Sequence, residues 1–293
     1  MEVFQDMIGM PRDRQLRAAT GLEGGVVANG STCGVVTGSL LGMALDHEAE
    51  VQQAGEAGRA AVMEKAQEFT RWFGEAYGST LCRGRTNVSF YTPSGQLRYF
   101  LLPDKIARCC SHISGSFRRH FQERQSLPAI SGDPPVARFH CAQAVLERVA
   151  ARTGVEDPVT LRTSYILSGG AGLSGGACGA LLGAVLAINL VLGLDIRNTP
   201  YLATFRPFVV GHLNLLRRGT TDCGEPFAAG RLVTRHFRRA TGSLECAEIL
   251  GRRFSSYEDF CRHTRGTDCD RIVGFAADAA VAVLDQNREK ALP

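Results

Sequence analysis

Two runs of small and apolar residues interrupt an otherwise amphipathic chain. No charged residue lies between Arg162 and Asp195, and ACGALLGAVLAINLVLGL (177–194) is apolar on every face of a helix. A helix of that kind is either the buried centre of a bundle or a membrane span. Its length allows spanning, and Gly179 with Gly183 has the small-xxx-small spacing of close helix packing. Asn189 nevertheless lies inside the run, Gly and Ala dominate it, and no basic cluster flanks it. The pattern predicts a buried core helix. A shorter run, CGVVTGSLLGMAL (33–45), stops at Asp46-His47-Glu48 and predicts the same.

Amphipathic segments surround these runs. Residues 48–77 predict one long helix with Gly78 as its C-cap. FHCAQAVLERVAARTG (139–154) predicts another, with Cys141, Ala144, Val145 and Val149 near one face and Gly154 as the stop. A third is expected at about 227–240, after an inserted loop. Strand-like alternation is scarce; VSFYTPSGQLRYFLL (88–102) is the one hairpin candidate, turning at Pro93-Ser94-Gly95. The expected class is mainly α.

The two apolar runs are copies. GGVVANGSTCGVVTG (24–38) and GGAGLSGGACGALLG (169–183) share a Gly pair, a later Gly, Cys-Gly and a final Gly at equal intervals. FGEAYGSTLC ends at Cys82 and FRRATGSLEC at Cys246; both read Phe, four residues, Gly-Ser, two residues, Cys. Two phrases in the same order indicate duplication. The units run over 1–125 and 137–293, with the Pro- and Gly-containing stretch 126–136 as linker, and are expected to form two pseudo-symmetric helical bundles.

Composition narrows the chemistry. At 293 residues, 44% apolar and 21% charged, the chain has the make-up of a folded protein. A formal charge of +4 without a dense basic patch argues against a nucleic-acid partner. The start, MEVFQDMIGMPRDR, has no apolar central region like that of a secretory signal, so a reducing, cytoplasmic setting is expected. Ten cysteines there read as ligands or redox groups rather than as disulfides.

Cys33 and Cys178 follow glycines and open helices. A helix N-terminus offers unpaired N–H groups and a positive dipole end, which favour a thiolate and lower its pKa. Ser31 or Thr32 is a candidate cap for the first copy. No Lys follows as in a P-loop, no Cys-x-x-Cys occurs, and Cys109-Cys110-Ser111-His112 is one residue short of a c-type haem motif. The other cysteines, Cys82, Cys109, Cys110, Cys141, Cys223, Cys246, Cys261 and Cys269, are scattered, one per helix end, to be gathered by folding. Four such thiolates could hold an iron–sulfur cluster or a zinc ion. His112, His140 and His263 each stand one or two residues from a cysteine, as candidate replacements for a thiolate or axial haem ligands. Asp222, Asp268 and Asp270 adjoin cysteines and would raise thiol pKa values unless a cation offsets them.

Unit two resembles the C_GCAxxG_C_C family of redox-active proteins. Cys141 stands as the first cysteine, the stretch Gly176 to Gly183 around Cys178 and Gly179 is similar to the central motif, Cys246 matches the third cysteine, and Cys269 or Cys261 the fourth. Unit one repeats it through Cys33, Cys82 and Cys109 or Cys110, but the place equivalent to Cys141 falls before Met1, so a full four-cysteine site is expected only in unit two. The resemblance, which extends to split-Soret cytochrome c, implies a redox metal centre. The expectation is an electron-transfer protein with a cysteine-ligated centre, iron–sulfur first, haem or zinc as alternatives. A protein redox partner, no nucleic acid, no membrane insertion and an optional homo-oligomer complete it. A metal-free thiol–disulfide oxidoreductase and a zinc-stabilised binding protein are the rival readings.

Overall fold

The computed structural model describes residues 1–89, 92, 94–95, 98–99, 103–122, 127, 133–200, 227–264 and 269–291. The first repeat contains α1 (Glu2–Met7), α2 (Asp13–Ala19), α3 (Gly34–Asp46), α4 (Glu48–Ala54), α5 (Glu56–Tyr77), α6 (Cys82–Thr86) and α7 (Pro103–Gln122). The second contains α8 (Cys141–Thr153), α9 (Pro158–Thr163), α10 (Gly179–Leu192), α11 (Phe227–Thr241), α12 (Cys246–Leu250), α13 (Tyr257–Thr264) and α14 (Cys269–Ala291). No strand occurs among the described residues; Thr32–Leu81 and Ala177–Glu245 form isolated antiparallel bridges.

The uncharged runs are the two core helices. Every residue of α10 from Gly179 to Leu190 is buried, and at 14 residues it is about 21 Å long, too short for a bilayer. Among the described residues no helix is long and apolar enough to cross a membrane. The small-residue spacing serves packing against α8: a Cβ on Gly183 would meet the Ala142 carbonyl at 2.6 Å, and one on Gly179 the Cys141 Cβ at 3.0 Å. In α3 the same contact is made to α1, where a Cβ on Gly42 would strike the Phe4 ring at 2.5 Å. Asn189, the polar intruder, turns its amide onto the Val185 carbonyl one turn back and meets Thr20 of the other repeat.

Glycine crowding before each core helix has a geometric cause. Five consecutive residues, Gly24 to Ala28, have φ between 51 and 78°, and Gly169 to Leu173 repeat this between 60 and 87°. Each is a single turn of left-handed helix, in which only glycine is free of a Cβ clash. At Gly170 the turn folds tightly enough that a Cβ would lie 2.6 Å from the Gly175 carbonyl carbon; at Gly25 one would lie 2.5 Å from the Ser31 nitrogen. Val26 and Val27 hold the conformation without glycine's freedom because both are fully enclosed in the core.

The repeats interlock. α10 packs on α2 of the first repeat and α3 on α9 of the second, so each core helix is covered partly by the other unit. The Thr32 hydroxyl accepts the Ala177 N–H at 2.7 Å, Thr70 donates to the Gly172 carbonyl at 3.1 Å, and Arg83 pairs with Glu245 at 2.6 Å. One apolar cluster draws on both repeats, from Leu40 and Phe73 to Leu186 and Phe237.

Two local expectations fail. The long helix breaks into α4 and α5 at Gly55, whose φ of 60° is left-handed, and this lets Gly58 press against Val51. The segment expected as a hairpin lies partly outside the described residues, and Ser94, Gly95, Arg98 and Tyr99 within it are helical. Short apolar runs do not separate strand from helix by periodicity; here Tyr99 is drawn onto Cys109 at 3.6 Å.

The left-handed turn supplies a stability test. Gly170→Ala is expected to lower unfolding free energy by about 2–5 kcal/mol, the sum of a left-handed penalty and overpacking. Gly154→Ala, equally left-handed but with open space around it, should cost about 1 kcal/mol. Equal losses in denaturant titrations would refute the tight-turn account.

Candidate metal centre

Six cysteines begin helices. Cys33 and Cys178 are the N-caps of α3 and α10, with φ, ψ of −56, 135° and −57, 131°. Cys82, Cys141, Cys246 and Cys269 are first residues of α6, α8, α12 and α14. The bridges bring the starts together in pairs. Cys178 donates its N–H to the Leu244 carbonyl at 2.8 Å while Cys246 donates to the Gly176 carbonyl at 2.6 Å. In the first repeat Cys33 donates to Thr80 at 2.8 Å and Cys82 to Ser31 at 2.7 Å. Gly176 has no room for a side chain, since a Cβ would lie 2.2 Å from the Thr32 hydroxyl. Neither Ser31 nor Thr32 caps α3; Cys33 holds that position and Thr32 bonds across the repeat.

Cys141, Cys178, Cys246 and Cys269 line one cleft in unit two, closed by Ile249, Leu250, Phe254, Phe260, Ile272 and Val273. The cleft has a cavity volume of about 10 Å³, room for about one water molecule. The thiols face one another closely enough to disfavour each other's ionisation. Cys261 is buried on α13 and hydrogen-bonded to Tyr257, outside the cleft, so Cys269 stands as the fourth thiol. None of the nine described cysteines is in a disulfide. Cys223 lies outside the described residues, as do Asp222 and Asp268.

The lowered thiol pKa expected at a helix N-terminus is overturned. Burial dominates and pushes Cys178 up to about 11, although the Ala180 and Leu181 amides donate to its sulfur and pull the other way. Cys141 and Cys246 are raised well above the ordinary value, first by burial and then by neighbouring thiols. Desolvation of a thiolate outweighs two amide dipoles. Among the described residues no group of three or more His, Cys, Asp or Glu side chains is arranged to hold a single metal ion. The thiols thus share a cavity without already converging on one point.

The histidines divide. His140 is buried with Nδ1 3.3 Å from the Ser168 hydroxyl and Nε2 3.4 Å from the Tyr257 hydroxyl, which uses both nitrogens. His263 Nε2 lies 3.8 Å from Cys269 Sγ, at the edge of the cleft. Asp270 turns away to Arg148 at 2.6 Å.

Unit one has the same frame with different contents. Cys33, Cys82 and Cys109 influence one another electrostatically, and burial pushes Cys82 up to about 12. Cys110 is exposed. Met1 sits against Gly38 as Ala142 sits against Gly183, so the place of Cys141 lies just ahead of Met1. Arg85 follows Cys82 by three residues as the cleft-lining Ile249 follows Cys246. Its guanidinium is buried, lies 5.0 Å over the Tyr77 ring, bonds His112, and leaves Nη1 without a partner. Arg85 and Tyr99 were not among the residues singled out from the motifs; aligning the repeats position by position, rather than cysteine by cysteine, exposes Arg85.

The chain is therefore a tandem, all-α protein whose repeats each gather cysteines at helix starts. Residues 1–122 and 139–283 each match the family described as "Putative redox-active protein (C_GCAxxG_C_C)", and the chain belongs to that family. No curated protein and no solved structure matches it.

Glu23 takes in unit one the place of Ser168, at matching backbone angles of −66, 159° and −65, 156°. Burial raises its carboxyl pKa to about 8. The folded state thus holds the proton more tightly than the unfolded chain, so this group costs nothing below about pH 4.5 and erodes stability as pH rises from there through about 8. The melting temperature is expected to fall less between pH 5 and pH 8 in Glu23→Gln than in the native protein. Identical falls would show that Glu23 ionises freely in the fold.

Proposed function

We propose that unit two carries a cysteine-ligated redox centre, an iron–sulfur cluster, held by Cys141, Cys178, Cys246 and Cys269, and that the protein passes electrons. The observation that carries this reading is that four thiols, from the starts of four helices, line one apolar cavity. The donor set fits: four cysteines are the usual ligands of such clusters, and amide N–H groups onto sulfur are among the features that set their potentials. When bound, the cluster would supply one-electron chemistry that the side chains lack.

The chain's own part is positional. α8, α10, α12 and α14 each present one sulfur, and the paired backbone bonds of Cys178 and Cys246 fix two of them relative to each other. Amides of Ala180 and Leu181 on Cys178, and of Gly169 on Cys141, would offset anionic charge at the sulfurs. Ile249, Leu250, Ile272 and Val273 exclude water. Thiols raised by burial are poor nucleophiles near neutral pH, which weighs against metal-free disulfide exchange as the resident chemistry. Zinc has no redox chemistry of its own, which fits a redox-active family less well.

Protein purified and reconstituted anaerobically with iron and sulfide should show broad visible absorption, with iron and acid-labile sulfide both bound. Cys178→Ser and Cys246→Ser should each lower iron retention about tenfold or more, whereas Cys110→Ser and Cys261→Ser should leave it unchanged. Colourless protein with stoichiometric zinc, or protein that takes up neither iron nor sulfide, would overturn the proposal.

A further inference from the structure

A second cavity, of about 570 Å³, opens on the seam between the repeats. That is within the range of small-molecule sites. One wall is the end of α5 with the turn to Leu81, just before Cys82; the other is Leu173 and Ser174 of the left-handed turn with Arg253 to Ser255. Phe254 lines this cavity and the four-thiol cleft alike, so the two spaces share one residue. Gln67 donates to the Phe254 and Ser255 carbonyls at 3.2 and 3.1 Å, spanning the repeats along one edge of the cavity.

The lining chemistry is specific in sign. Arg71 and Arg253 face the cavity from opposite repeats, and neither has a carboxylate partner among the described residues. Arg253 donates to the Ser174 carbonyl at 3.5 Å. Glu75 contributes one negative charge, leaving the cavity net positive by one. Ser79 and Thr80 add hydroxyls, while Leu173 and Phe254 add an apolar surface. Two guanidinium groups on opposite walls suit a carboxylate or phosphate between them, and the apolar side suits the carbon frame attached to it.

We propose that the seam cavity is a binding site for a small organic anion, next to the four-thiol cleft with which it shares Phe254. Binding needs no occupant in the thiol cleft; if the redox centre proposed above is real, this is where its small-molecule partner docks. The site is shared between the repeats, so neither unit carries it alone.

Gly74 gives the decisive variant. It lines the cavity from within α5, and a Cβ placed on it would meet nothing nearer than Thr80 at 3.9 Å. Gly74→Leu should therefore leave the fold intact, or strengthen α5 through better helix propensity, while its side chain intrudes into the cavity. Isothermal titration of the full chain with adenosine 5′-monophosphate and with citrate, each in metal-free and iron-reconstituted protein, tests the site. The expected result is saturable binding of at least one anion in both forms. That binding should weaken about tenfold or more in the Arg71→Ala/Arg253→Ala pair and weaken likewise in Gly74→Leu with melting temperature preserved. Absence of binding for both anions, or binding untouched by Gly74→Leu, would overturn the site. Failure to take up iron would leave the binding result standing and strike only the redox centre.

Discussion

The architecture depends on one exchange of backbone hydrogen bonds, made twice. A cysteine that opens a helix has an amide with no partner inside that helix. Here the amide of one such cysteine is satisfied by the carbonyl two residues ahead of another, and the reverse. This ties two helix starts side by side without a sheet, and the sulfurs attached to them share a neighbourhood. The left-handed turn before each core helix delivers the bridge residue, Thr32 or Ala177, into that exchange. Its backbone doubles back within a few residues, which is why glycines gather there.

Electrostatically, the gathered thiols sit in a frustrated setting. Helix starts and amide donors favour their anions, while apolar walls and mutual proximity favour the protonated forms, and the second pair of influences prevails. Such a cluster stores no free thiolate. Unit one shows what happens when the frame is kept and the contents change. A guanidinium stands where unit two has Ile249, and a tyrosine hydroxyl meets Cys109.

Much of this was legible in the residues. The uncharged runs predict core helices because no amphipathic alternative exists for them, and the repeated Gly-Cys phrases mark helix starts in both units. Cys141, Cys178, Cys246 and Cys269 could be grouped through the family pattern, and the structure lines one cavity with them. Three things were hidden. Gly55 breaks a helix whose periodicity continues past it, because a left-handed angle leaves no trace in hydrophobic spacing. The hairpin segment carries alternation, but Tyr99 and its helical neighbours follow a tertiary contact. The sign of the Cys178 shift could not be read from helix position, since its burial depends on walls such as Phe254 and Val273, which lie far from it along the chain.

The mutual covering of α3 and α10 by segments of the opposite repeat has a consequence for shorter chains. A polypeptide with one repeat would leave an apolar flank of its central helix open to water and its Thr32- or Ala177-type contact unmade. Closed twofold pairing with an identical copy is the arrangement that covers it. Fusion into one chain relieves the two halves of identity: each can then change its own interior while the other preserves the shared scaffold.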